Sequence, residues 1–177
     1  MANLVWRDAR EQARQVLDDL WDQTLPVDVI AISRAAGVVP YLRDLPGTTS
    51  GMLVKREGES ARSYIARTDP EVRKRFTCAH ELGHFMERKM VGDSEYGFED
   101  SFTDTREGIR RHDYFPHEFF ADEFAGAVLM PETSILKFKA EGMPVEQMAE
   151  KFRVSVSAVR RRLAALRNHP TKAENGQ

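Results

Sequence analysis

Apolar residues in the first part of the chain recur at helical spacing. Between about Asp8 and Asp22, Val16, Leu17, Leu20 and Trp21 fall on one face, which predicts an amphipathic helix. Pro26 opens a second helical stretch carrying Val29, Ile30 and Ile32. Gly37 marks its end, because glycine readily takes the left-handed conformation that closes a helix. The period then shortens. Val38-Val39-Pro40-Tyr41-Leu42 reads as an edge strand, since proline removes a ladder donor. The segments 50–55 and 63–67 read as two more short strands around a Glu57-Gly58-Glu59 turn.

Pro70 suits the first position of a third helix, with Asp69 or Thr68 as its cap and Glu71 complementing the helix dipole. From Val91 to Asp113 the periodicity vanishes and Gly92, Gly97 and Gly108 punctuate the segment. A loop this long inside a compact domain is usually functional or disordered. It predicts a substrate-facing flap whose Tyr96, Phe98 and Phe102 line a peptide groove. A strongly apolar helix follows over 116–130, with Phe120, Phe124, Ala127 and Val128 facing the core, and Pro131 ends it. Near the C-terminus Met148, Ala149 and Phe152 mark a short helix beginning at Pro144 and Val145. After a turn at Arg153-Val154-Ser155, with Ser155 as N-cap, Val159, Leu163 and Leu166 mark a second. The pair reads as a helix-turn-helix, although Arg153 stands where the turn often has glycine. Arg160, Arg161 and Arg162 would decorate its second helix, as a DNA reader requires, but such a run is more often a solvated face.

Composition narrows the class. The 177 residues suffice for one domain with a real core, and 41% hydrophobic with 31% charged residues is a globular balance. A net charge of −2 offers no global attraction to nucleic acid or membrane. No segment is long and apolar enough to span a bilayer, and the N-terminus lacks an apolar signal core, so the expected compartment is the cytoplasm. The single cysteine, Cys78, excludes an internal disulfide and reads as a small buried hydrophobe.

The chemistry is concentrated in His80-Glu81-Leu82-Gly83-His84. With about 3.6 residues per turn, positions four apart stack on one helix face, so both imidazoles reach a single ion. Glu81 then stands beside that ion as a general base. Phe76 shares the stripe, while Cys78, Ala79, Leu82 and Gly83 are small or apolar and let a neighbouring element press close. Gly83 costs about 1 kcal/mol relative to alanine in a helix interior, and close backbone approach at the site would justify it.

A catalytic zinc takes three protein ligands and leaves a position open. Downstream, Glu118 and Asp122 lie four apart on a helix that otherwise belongs in the core, where carboxylates are costly unless paired or metal-bound. Glu118 as ligand and Asp122 as hydrogen-bond partner of a ligand imidazole account for both. His117 is the competing ligand. His112 and Tyr114 are candidates to contact an oxyanion or the substrate.

These residues resemble the ImmA/IrrE metallopeptidases, a bacterial and phage group among the zincins. The family carries His-Glu-x-x-His on one helix and Glu-x-x-Ala-(Asn/Asp)-x-Phe-Ala on the next, often followed by Leu-Met-Pro. Here these are His80 to His84, Glu118 to Ala125, and Leu129-Met130-Pro131. The weaker similarity runs from about Leu20 to Leu166. The resemblance implies His80, His84 and Glu118 as metal ligands, Glu81 as base and Asp122 as orienting acid. It implies an α+β fold: a mainly helical zincin-like domain over residues 1–142 with a small sheet of about three short strands. A helix-turn-helix-like segment over 143–168 would pack on that domain, and 169–177 would form a tail. It implies Zn2+, with Mn2+ or another divalent ion compatible with the same donors. It also implies an endopeptidase that cleaves or inactivates a helix-turn-helix repressor or antitoxin. The contrasting expectation is a non-enzymatic antirepressor or toxin-antitoxin partner with a structural metal. Direct DNA binding through the C-terminal helices is the weakest of the three expectations, because the family's similar segment follows its metal helices.

Overall fold

The computed structural model describes residues 5–56, 58–91, 102–105 and 115–170. The first helix, α1 (Val5–Leu20), buries Ala9, Arg10, Ala13, Val16 and Leu17. It begins three residues before the predicted start, and Leu20 is exposed beyond the inward stripe. The second, α2 (Val29–Ala36), begins after Asp28, whose carboxylate accepts the Ala31 N–H at 3.0 Å, rather than at Pro26. A side-chain acceptor at the cap satisfies an end N–H that proline cannot, so the capping aspartate sets the start. Gly37 closes α2 at φ +101°, donating to the Arg34 and Ser33 carbonyls.

Strands β1 (Val38–Arg43), β2 (Gly51–Lys55), β3 (Ala61–Ala66) and β4 (Phe102–Thr105) form a mixed sheet in the order β1-β3-β2-β4. Pro40 sits on edge strand β1, which runs parallel to β3 with Val38 opposite Ala61. β2 runs antiparallel to β3 with Leu53 opposite Ser63, and antiparallel to β4 with Met52 opposite Thr105. The mainly helical α+β class stands, and β4 adds a strand to the three expected. It comes from the stretch without periodicity, because four residues are too few to display an alternation. Main-chain pairing with the free edge of β2 recruits them instead.

Helix α3 (Glu71–Val91) lies on the sheet and crosses α4 (Phe115–Leu129), and α1 packs on the other side of α4. The core-facing residues of α4 are as expected. Phe120, Phe124, Ala127 and Val128 are all buried, with the two rings stacked at 6.3 Å. Phe120, Phe124 and Val128 each contribute about 1.5–3 kcal/mol on burial, which makes α4 a main source of the molecule's hydrophobic stability. A short helix, α5 (Glu132–Ala140), follows Pro131 and buries Ile135 completely. No helix among the described residues is long and apolar enough to cross a membrane.

The C-terminal pair is α6 (Val145–Phe152) and α7 (Val156–Asn168). Ser155 caps α7, its hydroxyl accepting the Ala158 N–H at 3.1 Å. Arg153 takes the left-handed conformation usually left to glycine, φ 52° and ψ 52°. Its carbonyl is held by the Arg75 guanidinium of α3 at 3.3 Å, which ties the turn to the metal helix.

Candidate metal centre

The crossing of α3 and α4 depends on small residues at their contact. A Cβ on Gly83 would lie 3.0 Å from the Ala121 Cα and 3.2 Å from the Phe124 ring, so only glycine admits α4 at this distance. That is the close approach the sequence required of Gly83. It brings Glu118, one turn before Asp122, over the face of α3 that carries the two histidines.

His80 and His84 are buried, with their Nε2 atoms 3.0 Å apart. Glu118 Oε1 lies 3.0 Å from His84 Nε2, and Oε2 lies 3.4 Å from His80 Nε2. Donors on a tetrahedral ion about 2.0–2.1 Å away lie roughly 3.3–3.4 Å from one another, close to this spacing. Among the described residues, His80, His84 and Glu118 form a set that fits a divalent metal.

Asp122 fixes how His80 is used. Its carboxylate lies 2.9 Å from His80 Nδ1, which places the ring proton on Nδ1 and turns the Nε2 lone pair toward Glu118. Glu118 Oε1 is buried and makes no well-aligned hydrogen bond with any described residue, despite its closeness to His84. A buried carboxylate oxygen with no proton aimed at it, beside two close imidazole nitrogens, suits a cation. Burial raises the Glu118 carboxyl pKa, but the neighbouring His80 and His84 imidazoles outweigh it and hold the group well below the usual carboxylate range. The carboxylate is therefore ionised, as a ligand must be.

Glu81 is 1% exposed, its carboxylate pressed against Gly51 of β2. A Cβ at Gly51 would collide with Glu81 Oε1 and with the Thr77 methyl. Gly51 thus belongs to the site's framework, a role the sequence reading did not give it. The signal was available, since glycine inside a strand often marks close approach by another group.

His117, the competing ligand, points elsewhere. Its Nδ1 pairs with Glu87 of α3 at 2.9 Å and braces α4 one turn from the metal donors. Cys78 is buried beside Ser33 Oγ at 3.5 Å, and burial pushes its thiol up to about 11, so it behaves as the expected small hydrophobe. His112, Tyr114, Tyr96 and Phe98 lie outside the described residues, as does the Phe102 side chain.

A cavity of about 640 Å³ opens beside the donors, lined by Arg73 and Phe76 of α3, Glu118 and Asp122 of α4, and Ser155 and Arg161 at the start of α7. A second, of about 400 Å³, shares Phe76, Asp122, Ala158 and Arg161 with it. The second reaches Trp6 and His169.

The fold and donor set together define a helical protein built to hold a divalent ion between a His-Glu-x-x-His helix and a crossing glutamate helix. The sequence matches the IrrE N-terminal-like domain, peptidase family M78, over residues 41–164, and the chain belongs to that metallopeptidase family. No curated protein matches the chain. Among solved structures, a Mycobacterium tuberculosis transcriptional regulator is similar, with a TM-score of 0.67 and 17% sequence identity. The likeness covers 94% of this chain and 49% of that one, so the chain spans about half the length of that regulator. At this identity the likeness is one of fold.

Proposed function

We propose that this chain is a zinc-dependent endopeptidase that cleaves, and so inactivates, a cognate helix-turn-helix repressor or antitoxin. The observation that carries the reading is the convergence of His80, His84 and Glu118 on one point, with Glu81 next to His80 on the same helix. A purely structural zinc site closes all four positions with protein donors and needs no base. Two imidazoles and one carboxylate leave room for a reactant, and they suit zinc well, though manganese accepts the same set. Bound there, the ion supplies Lewis acidity that polarises a scissile carbonyl and acidifies water.

The chain's own residues supply the rest. Asp122 holds the His80 ring so that its Nε2 presents a lone pair. Glu81 takes the proton of the attacking water and returns it to the departing amine as the peptide bond breaks. The two cavities along α3, α4 and α7 share lining residues, which supports room beside the donors for a peptide segment. The solved chain of like fold is described as a transcriptional regulator, which supports a regulatory setting for a repressor-directed peptidase.

Glu81→Gln tests the reading. The variant is expected to keep its metal by mass spectrometry of the native protein. Its cleavage of the partner repressor should fall by about 10²–10⁴-fold. Undiminished cleavage rejects the mechanism.

A further inference from the structure

The three consecutive arginines of α7 are divided among three environments. Arg160 is exposed and its guanidinium lies 3.5 Å from Glu146 of α6. Arg162 is buried, 3.2 Å from Glu123 of α4. Arg161 lines both cavities beside the metal donors. Arg160 and Arg167, seven positions apart, share an exposed face of α7, but Arg161 lies outside that stripe. With the turn before it, α7 forms one wall of the cleft, through Val154, Ser155, Ser157, Ala158 and Arg161.

The first turns of α3 contribute Arg73 to the same cavity. Among the described residues, neither Arg73 nor Arg161 has an ion-pair partner. The cleft's two carboxylates, Glu118 and Asp122, are engaged with His80 and His84. Once a divalent ion offsets those carboxylates, the two guanidiniums are the charge left to a ligand. Both line the cavity that Glu118 and Asp122 also line, with exposed Val72 and Phe119 at the cavity margins to accept apolar side chains.

We propose that the α6–α7 pair is a substrate-cleft wall rather than a DNA reader, and that Arg73 and Arg161 select peptide segments carrying acidic side chains close to the scissile bond. The inference rests on the peptidase reading for what happens after binding, but the selectivity is a property of binding alone. Arginine suits the task because its planar fork engages a carboxylate through two parallel hydrogen bonds.

The test uses the full chain as Glu81→Gln, loaded with zinc, and fluorescent peptides of matched apolar sequence bearing either paired Asp/Glu or paired Lys. Fluorescence anisotropy is expected to show tighter binding of the acidic peptide, weakening with added salt. Adding Arg73→Glu and Arg161→Glu together should lower acidic-peptide affinity by about tenfold or more and favour the basic peptide, with zinc content unchanged. Arg161→Gln alone should give a smaller loss in the same direction. Equal affinity for the two peptides, or a preference that ignores the reversals, overturns the proposal. So does a result in which Arg161→Glu abolishes binding to a DNA duplex at low salt while peptide affinities stay as they were.

Incubating the same peptides with the protein that retains Glu81 separates the two readings. Acid-selective binding without cleavage removes the peptidase and leaves the selectivity. Cleavage indifferent to peptide charge removes the selectivity and leaves the peptidase.

Discussion

Asp122 and Glu123 are neighbours in α4, yet they serve two charged clusters of opposite character. Asp122 faces the histidines of α3, where two imidazole nitrogens and a carboxylate converge with 3.0–3.4 Å between them. Glu123 faces the other way, where its Oε1 accepts from Arg10 of α1 at 2.5 Å and from Arg162 of α7 at 3.2 Å. In that second cluster Arg10 also donates to the His169 carbonyl and lies over the Trp6 ring, which stacks on His169. Its charges are opposite in sign and joined by protons, two guanidiniums sharing one carboxylate, although Arg10 Nη2 and Arg162 Nε find no hydrogen-bond partner among the described residues. It joins three helices. The first cluster crowds two imidazole nitrogens around a carboxylate whose Oε1 has no hydrogen-bond partner among the described residues, a set that a cation would complete. Both lie in the same layer of the molecule, so burial alone does not separate a ligand site from a structural lock. The balance of donors to acceptors does.

Breaking the lock should give the largest stability change. Glu123→Ala leaves two nearly buried guanidiniums without their common carboxylate, and removing one partner of a buried pair costs about 3–5 kcal/mol. Chemical denaturation should register that loss, while zinc affinity in the folded protein stays near its original value. Breaking the metal cluster should do the reverse. Glu118→Gln keeps the shape but removes a charged donor, so zinc affinity measured by chelator competition should fall by more than about 100-fold. The denaturation midpoint of the metal-free protein should hold or rise.

Smaller changes sharpen the contrast. Asp122→Asn replaces the charged acceptor that orients His80 with a weaker neutral amide, and weakening such a partner lowers metal affinity by about 10–100-fold. Gly83→Ala acts on both clusters through α4. Its Cβ would meet the Ala121 backbone at 3.0 Å, so the helices must separate, at a cost of about 1–3 kcal/mol. Thermal melting should show that loss, accompanied by weaker zinc binding as Glu118 moves from the histidines. An unchanged metal affinity in Gly83→Ala would separate the helix crossing from the site.

The two clusters also differ in how far the sequence revealed them. His80, His84, Glu118 and Asp122 were legible because each pair is four apart on its own helix, a local pattern that reports a shared face. The Arg10–Glu123–Arg162 lock had no such trace. Its members are separated by 113 and 39 residues, and Arg10 looks like any solvated residue of an amphipathic helix. Only the way α1 and α7 pack on α4 brings them together. Ser155 and Gly37 were readable as caps because capping is a one-turn affair, and both are where they were expected. β4 and α5 were not, because four residues display too little period and α5 buries only Ile135, so no apolar stripe marks it. Ile30, counted among the apolar residues of α2, is 46% exposed, since its helix buries Val29 and Ile32 instead.

The central claim is that α3 and α4 together hold one divalent ion. Crystals grown with zinc and measured on both sides of its absorption edge test this directly. One anomalous peak is expected about 2.0–2.2 Å from His80 Nε2, His84 Nε2 and a Glu118 carboxylate oxygen. A peak ligated by other residues, or none between these side chains at saturating zinc, would contradict the account.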